Sequence, residues 1–175
     1  MPRFEIDVDP LDHITADAIG KPGQRVFYIQ AWQGQRTVNV LIEKFQLESL
    51  SVGMEQFLAE VTRQTPDLED VPGDFIEEQM RINPPVDPLF RVGEVGLGYD
   101  KERDRVVLQA RELLVEDEDQ ETAAIVRFWC TREQIRKMAR WGAEVVTRGR
   151  PTCPQCSAPM EADGHFCPKK NGHKH

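Results

Sequence analysis

Two stretches of this chain, 47–63 and 131–147, carry apolar residues at helical spacing, and each follows segments that alternate apolar and polar. Leu47, Leu50, Met54, Phe57, Leu58 and Val61 form one stripe; Ile135, Met138, Ala139, Gly142, Val145 and Val146 form the other. A helix with one apolar stripe has to bury it against another layer, and alternating strands bury one face of a sheet. The pattern predicts an α+β fold: two strand–helix halves, 1–64 and 90–148, with both helices packed on a mainly antiparallel sheet. Strands are expected over 3–8, 25–32, 37–45, 91–99, 105–114 and 122–130, with Gln33-Gly34-Gln35 as the turn of a hairpin. Asp9-Pro10 and Gly20-Lys-Pro22-Gly23 mark the stretch between the first two strands as loop. Thr131 followed by Gln134 fits a capping box, and Gly149 and Pro151 end the second helix.

The halves also resemble each other. A gapless shift of 84 residues sets Leu41 on Ile125, Ile42 on Val126, Met54 on Met138 and Phe57 on Trp141. A true duplication would make the fold pseudo-twofold. Between the halves lies an acidic, proline-rich connector, 65–89, with a helical turn expected near Phe75–Arg81. At that length it is either a mobile loop or a segment that covers something.

The C-terminal segment, 149–175, carries a different signal: Cys153-Pro-Gln-Cys156, then His165-Phe-Cys167-Pro, holding three of the four cysteines. Two cysteines three apart can grip one ion from a tight turn, and a second turn with His and Cys can close a tetrahedron. Thiolate-rich donors select Zn²⁺ over hard cations. Cys153, Cys156 and Cys167 are the firm donors; His165 is the fourth, with His173, His175 and Asp163 as alternatives. Four protein donors make a closed, structural zinc knuckle, whereas three leave a position for water and a route to hydrolysis. No Glu is visibly placed as a general base. The start, Met1–Val8, has no apolar run of a signal peptide, so the cysteines read as metal ligands in a cytoplasmic protein rather than as disulfides. Mean hydropathy is −0.52, which argues against a membrane protein.

Net charge is −8, but residues 127–175 hold ten Lys or Arg against four Asp or Glu. An acidic body with a basic end either docks on itself or meets an acidic partner. Arg132, Arg136 and Arg140 recur every fourth residue along one helix flank. They either pair with the acidic connector or with Glu116–Glu121, or, with Lys169, contact an acidic or phosphorylated partner. Gly20–Arg25 is only loosely like an anion-binding loop and reads as a turn. Cys130 reads as a buried apolar residue, and His13 has no assigned role. No catalytic residues are identified.

The run Gly20-Lys-Pro-Gly-Gln-Arg-Val-Phe-Tyr-Ile-Gln-Ala31, the strand start Phe90-Arg-Val-Gly93, and the tail Gly149-Arg-Pro-x-Cys-Pro-x-Cys with Gly-His-x-Cys-Pro-x-x-Asn-Gly172 resemble the bacterial domain of unknown function 3090 family. The resemblance covers nearly the whole chain and is most specific in the tail. It implies a similar length and the same metal-binding tail. The family often has Gly-Tyr where this chain has Gly172-His173, which makes His173 a weaker ligand than His165. Members are often encoded beside a lipid-kinase-like and a histidine-phosphatase-like protein, which implies a protein partner in phosphate-centred chemistry. The first functional expectation is therefore a zinc-binding accessory or adaptor protein. The alternatives are a metal-assisted hydrolase of a phosphorylated small molecule, with its site between the halves under the connector, and a nucleic-acid-binding zinc knuckle.

Overall fold

The computed structural model describes residues 1–149. Its elements run β1 (Glu5–Val8), β2 (His13–Ile19), β3 (Val26–Gln33), β4 (Arg36–Ile42), α1 (Lys44–Gln64), α2 (Glu77–Met80), β5 (Val92–Asp100), β6 (Arg105–Glu112), β7 (Ile125–Cys130) and α3 (Arg132–Thr147). One sheet is ordered β1-β7-β6-β5 and the other β2-β3-β4; every pairing is antiparallel except β1 with β7. The α+β class is as expected, and the expected elements form. The zinc knuckle falls outside the described residues.

β2 is the exception, because the sequence reads as loop there. Its apolar face consists of Ile14 and two alanines of weak β preference, Ala16 and Ala18, and Thr15 and Asp17 lie between them, both fully buried. Buried polar residues hide the alternation that marks a strand. What holds β2 is its pairing with β3, from His13↔Trp32 to Ile19↔Val26.

Each half is a three-stranded meander followed by a helix. Cross-strand partners fix the correspondence: Ala16 pairs with Ile29 as Leu97 pairs with Leu108, and Ile29 pairs with Val40 as Leu108 pairs with Phe128. Both helices open on a capping box, Glu43 with Gln46 and Thr131 with Gln134. The offset is thus 81 residues in the first strand (Ala16 to Leu97), 79 in the second (Ile29 to Leu108), and 88 in the third strand and helix (Val40 to Phe128, Gln46 to Gln134). The gapless shift of 84 is corrected accordingly. It misplaces the helices by about one turn, which leaves their apolar stripes in phase. The lead segments are exchanged: β1 pairs with β7, and Leu41 of β4 bridges to Arg91 just before β5, both parallel.

The core lies where these layers meet. Ile14, Ile29 and Ile42 of one sheet, Leu108 and Phe128 of the other, and Leu47, Met54, Leu58, Ile135, Met138 and Trp141 of the helices are essentially inaccessible. The helices approach closely at Gly142: a Cβ there would lie 2.6 Å from Ser51 Oγ and 3.2 Å from Leu47 Cδ1. Ser51 Oγ is buried without a hydrogen-bond partner among the described residues.

Gly142→Ala should therefore lose about 1–2 kcal/mol, because the overlap outweighs the gain of up to about 1 kcal/mol in helix propensity. Adding Ser51→Ala removes the closest contact and one unpaired hydroxyl. Chemical denaturation should find the double variant more stable than Gly142→Ala alone.

Candidate functional site

The connector covers two surfaces in turn. Its first part runs beside α3. Arg132 Nη1 donates to the Glu69 carbonyl at 2.8 Å, and Arg136 Nη1 to Asp70 Oδ1 and the Val71 carbonyl, both at 2.7 Å. Gly73 lies so close to the Arg140 guanidinium that an added Cβ would sit 2.5 Å from its carbon. Phe75 meets Trp141 edge-on with centroids 5.6 Å apart, and Glu77 pairs with Arg148. From Glu69 to Glu77 an extended chain advances about 26 Å, and from Arg132 to Arg148 a helix rises about 24 Å. The matched lengths let the strap grip α3 along its whole length.

Its second part covers the outer face of β2-β3-β4. Thr15 Oγ1 donates to the Met80 carbonyl at 2.6 Å, and Asp17 Oδ2 accepts from the Ile82 amide at 3.0 Å. The Gln30 side chain accepts from the Asn83 amide at 2.9 Å, donates to its carbonyl at 3.1 Å, and donates to Asn39 Oδ1 at 2.7 Å. Thr15, Asp17 and Gln30 are buried with this backbone as a partner, and Asn39 is satisfied through Gln30.

The arginine flank is therefore engaged internally. Arg132 is 8% exposed, and its Nε and Nη2 donate to Asp104 at 2.8 and 3.2 Å. Asp104 sits in the β5–β6 turn at φ 50, a left-handed conformation that Asp tolerates, and also accepts from Tyr99 Oη at 2.7 Å. Burial, then this hydrogen bond, pushes the Tyr99 phenol up to about 12. Arg136 has its charge partners in Asp70 and, at 3.9 Å, Glu55. Arg140 is the exposed member, 3.7 Å from Glu55. Of the pairings expected for these arginines, the connector supplies Glu69, Asp70 and Val71, while Glu55 and Asp104 could not be singled out from spacing.

A cleft of about 180 Å³ opens under the connector, between β2 and α3, lined by His13, Ile14, Phe75, Met80, Glu133 and Lys137 among others. His13 rests against Trp32 at 4.9 Å, and its Nε2 is buried without a hydrogen-bond partner among the described residues. Burial, and then the Lys137 charge, lower its pKa, against a backbone contact with Gln79, so the ring is neutral at pH 7. Lys137 is 3.4 Å from Glu133. His13 was not legible as a site residue, because it opens the strand whose alternation is hidden. Cys130 is fully buried and its thiol pKa is raised by burial, consistent with an apolar role. Gly20–Arg25 is the β2–β3 turn, with Gly20 at φ 115 and Gly23 at φ 89.

Among the described residues no group of three His, Cys, Asp or Glu is placed to hold a metal. Cys153, Cys156, His165, Cys167 and Lys169, with the alternatives Asp163, His173 and His175, lie outside the described residues. Also among the described residues, no helix is long and apolar enough to cross a membrane.

Two predictions follow from the strap. Arg132→Ala removes three hydrogen bonds of a buried cation and should cost about 2–3 kcal/mol, whereas Arg140→Ala should cost under about 0.5 kcal/mol; urea unfolding compares them. Arginine hydrogen bonds hold Asp104, Asp70 and Glu77 below the ordinary carboxylate range, from Arg132, Arg136 and Arg148 respectively. Their folded-state pKa values are depressed, so the stabilisation is complete above the unfolded values of about 4 and is lost as pH falls through the folded ones. The thermal midpoint should fall steeply below about pH 4, and Asp104→Asn should flatten that fall.

No curated protein and no solved structure matches the chain. The model of one family, described as protein of unknown function (DUF3090), matches residues 6–167, a span that takes in both halves, the connector and the Cys/His segment. The chain belongs to that family.

Proposed function

We propose that the protein is a zinc-binding accessory or adaptor module whose zinc is structural and whose basic C-terminal surface docks an acidic or phosphorylated partner. The observation that carries the reading is the Cys153-x2-Cys156-x8-His165-x-Cys167 spacing, three thiolates and one imidazole in two short turns. That donor set suits Zn²⁺ and leaves no position for water, so the ion would order the segment rather than do chemistry. Arg132 and Arg136 serve the strap in this reading. The docking cations are then Arg140, exposed on α3, with Lys169 and its neighbours Arg150, Lys170 and Lys174.

Metal analysis and X-ray absorption test the first half. One zinc per chain with three sulfurs and one nitrogen is expected, and His165→Ala should lose the nitrogen. A bound water in the native shell, or no metal, would overturn it. For the second half, affinity capture from cells with Arg140→Gln/Lys169→Gln should lose a partner that the native chain retains, with thermal stability no lower than that of Arg140→Gln alone.

The cleft at His13 favours one second reading, hydrolysis of a phosphorylated small molecule. A neutral imidazole with an unpartnered nitrogen could act as a base, with Lys137 facing the phosphate. Phosphomonoester turnover abolished by His13→Gln at unchanged stability would establish it; turnover insensitive to that change would discard it.

A further inference from the structure

The surface under the strap on α3 and β2 has a counterpart in the other half that no described residue covers. On the helix offset of 88 residues, Glu133 and Lys137 of the His13 cleft correspond to Phe45 and Ser49. On the first-strand offset of 81, His13 and Ile14 correspond to Glu94 and Val95. Phe45, Ser49 and Gly53 of α1 and Val95, Gly96 and Leu97 of β5 line a groove of about 380 Å³. The two depressions are repeat mates. In the first, Phe75 and Met80 of the connector form one wall. In the second, no described residue does so, and Phe45 stands 68% exposed at its rim.

We propose that the segment 150–175 covers the α1–β5 groove as the connector covers the α3–β2 cleft. The chain leaves the described residues at the right place. A Cβ on Gly149 would lie 3.2 Å from Lys44 Nζ, at the first residue of α1. The connector likewise first grips α3 at its first residue, Arg132, and Arg132 and Lys44 correspond on the 88-residue offset. The segment also offers suitable side chains. Met160 and Phe166 lie six apart, where the connector uses Phe75 and Met80, five apart. Arg150, Lys169, Lys170 and Lys174 complement Glu48 and Glu94, exposed carboxylates that pair with no described cation. Burying two large apolar side chains would offset the cost of ordering the chain.

The test uses the full chain with Phe45→p-benzoylphenylalanine, irradiated at low micromolar concentration and mapped by mass spectrometry. Cross-links within one chain to residues 150–175 are expected. In a second variant, Phe45→Glu, tryptic cleavage after Lys169 and Lys170 should accelerate by roughly tenfold, since cleavage tracks opening. Phe45 is exposed, so neither change threatens the core. Cross-links only to a second copy assign the groove to self-association and overturn the proposal, as do the absence of tail cross-links or unchanged cleavage. The inference does not rest on the metal. Zinc content measured on the same sample separates the two, because a zinc-free chain that still cross-links upholds the docking alone.

Discussion

The backbone of Met80–Asn83 lies against four buried polar side chains, and the arrangement of this protein depends on that contact. Thr15, Asp17, Gln30 and Asn39 make the outer face of β2-β3-β4 a surface that apolar packing cannot cover. A helix could not satisfy it either, because its amides and carbonyls are already paired along its axis. An extended segment presents both groups. Gln30 exploits this by taking the amide and the carbonyl of Asn83 with one side chain. The clamp fixes where the connector ends, α1 fixes where it begins, and the path between runs beside α3.

The charge pattern follows from that path. An irregular strap has few apolar side chains to bury, so backbone carbonyls and carboxylates carry the contact instead. Arg132 and Arg136 meet them with guanidinium groups, which can bridge a carbonyl and a carboxylate together. The excess of arginine on one flank of α3 and the excess of acid in the connector are thus largely two sides of one internal interface.

Helices and most strands were legible because each buries one face against a common core, so their periodicity survives in the sequence. Leu47, Leu50, Met54, Leu58 and Val61 on α1, and Ile135, Met138 and Val145 on α3, are buried as their spacing requires. β2 was not legible, because it is buried on both faces and one of them is polar. The repeat was visible but mis-registered, since in the third strand and the helix the error is four residues, which keeps both a helix stripe and a strand face in phase. The site was less legible still. The acidic strap and basic flank could be paired by charge. Asp104 as the anchor of Arg132 depends on a turn of β5–β6 that spacing cannot place, and His13 depends on the strand that was missed.

The two halves share one plan and differ on the sheet face that the connector covers in the first. The polar pair Gln30–Asn39 recurs as Gln109–Arg127, with Arg127 Nε donating to Gln109 Oε1 at 3.0 Å. Thr15 and Asp17, however, correspond to Gly96 and Gly98 in β5. The second half therefore lacks the side chains that clamp a backbone, and its Arg127 is engaged by Glu5 at 3.3 Å. A segment seated there could not be held as the connector is. It would have to be held by apolar contact in the groove and by an order of its own. A metal held by the proposed Cys/His set would add such order, whereas Pro66 and Pro72 stiffen the connector without one. On this argument the first half is strapped through its own polar clamp, and a segment docked on the second half, as proposed, would rest on apolar contact that a metal in the Cys/His set would tighten but not create.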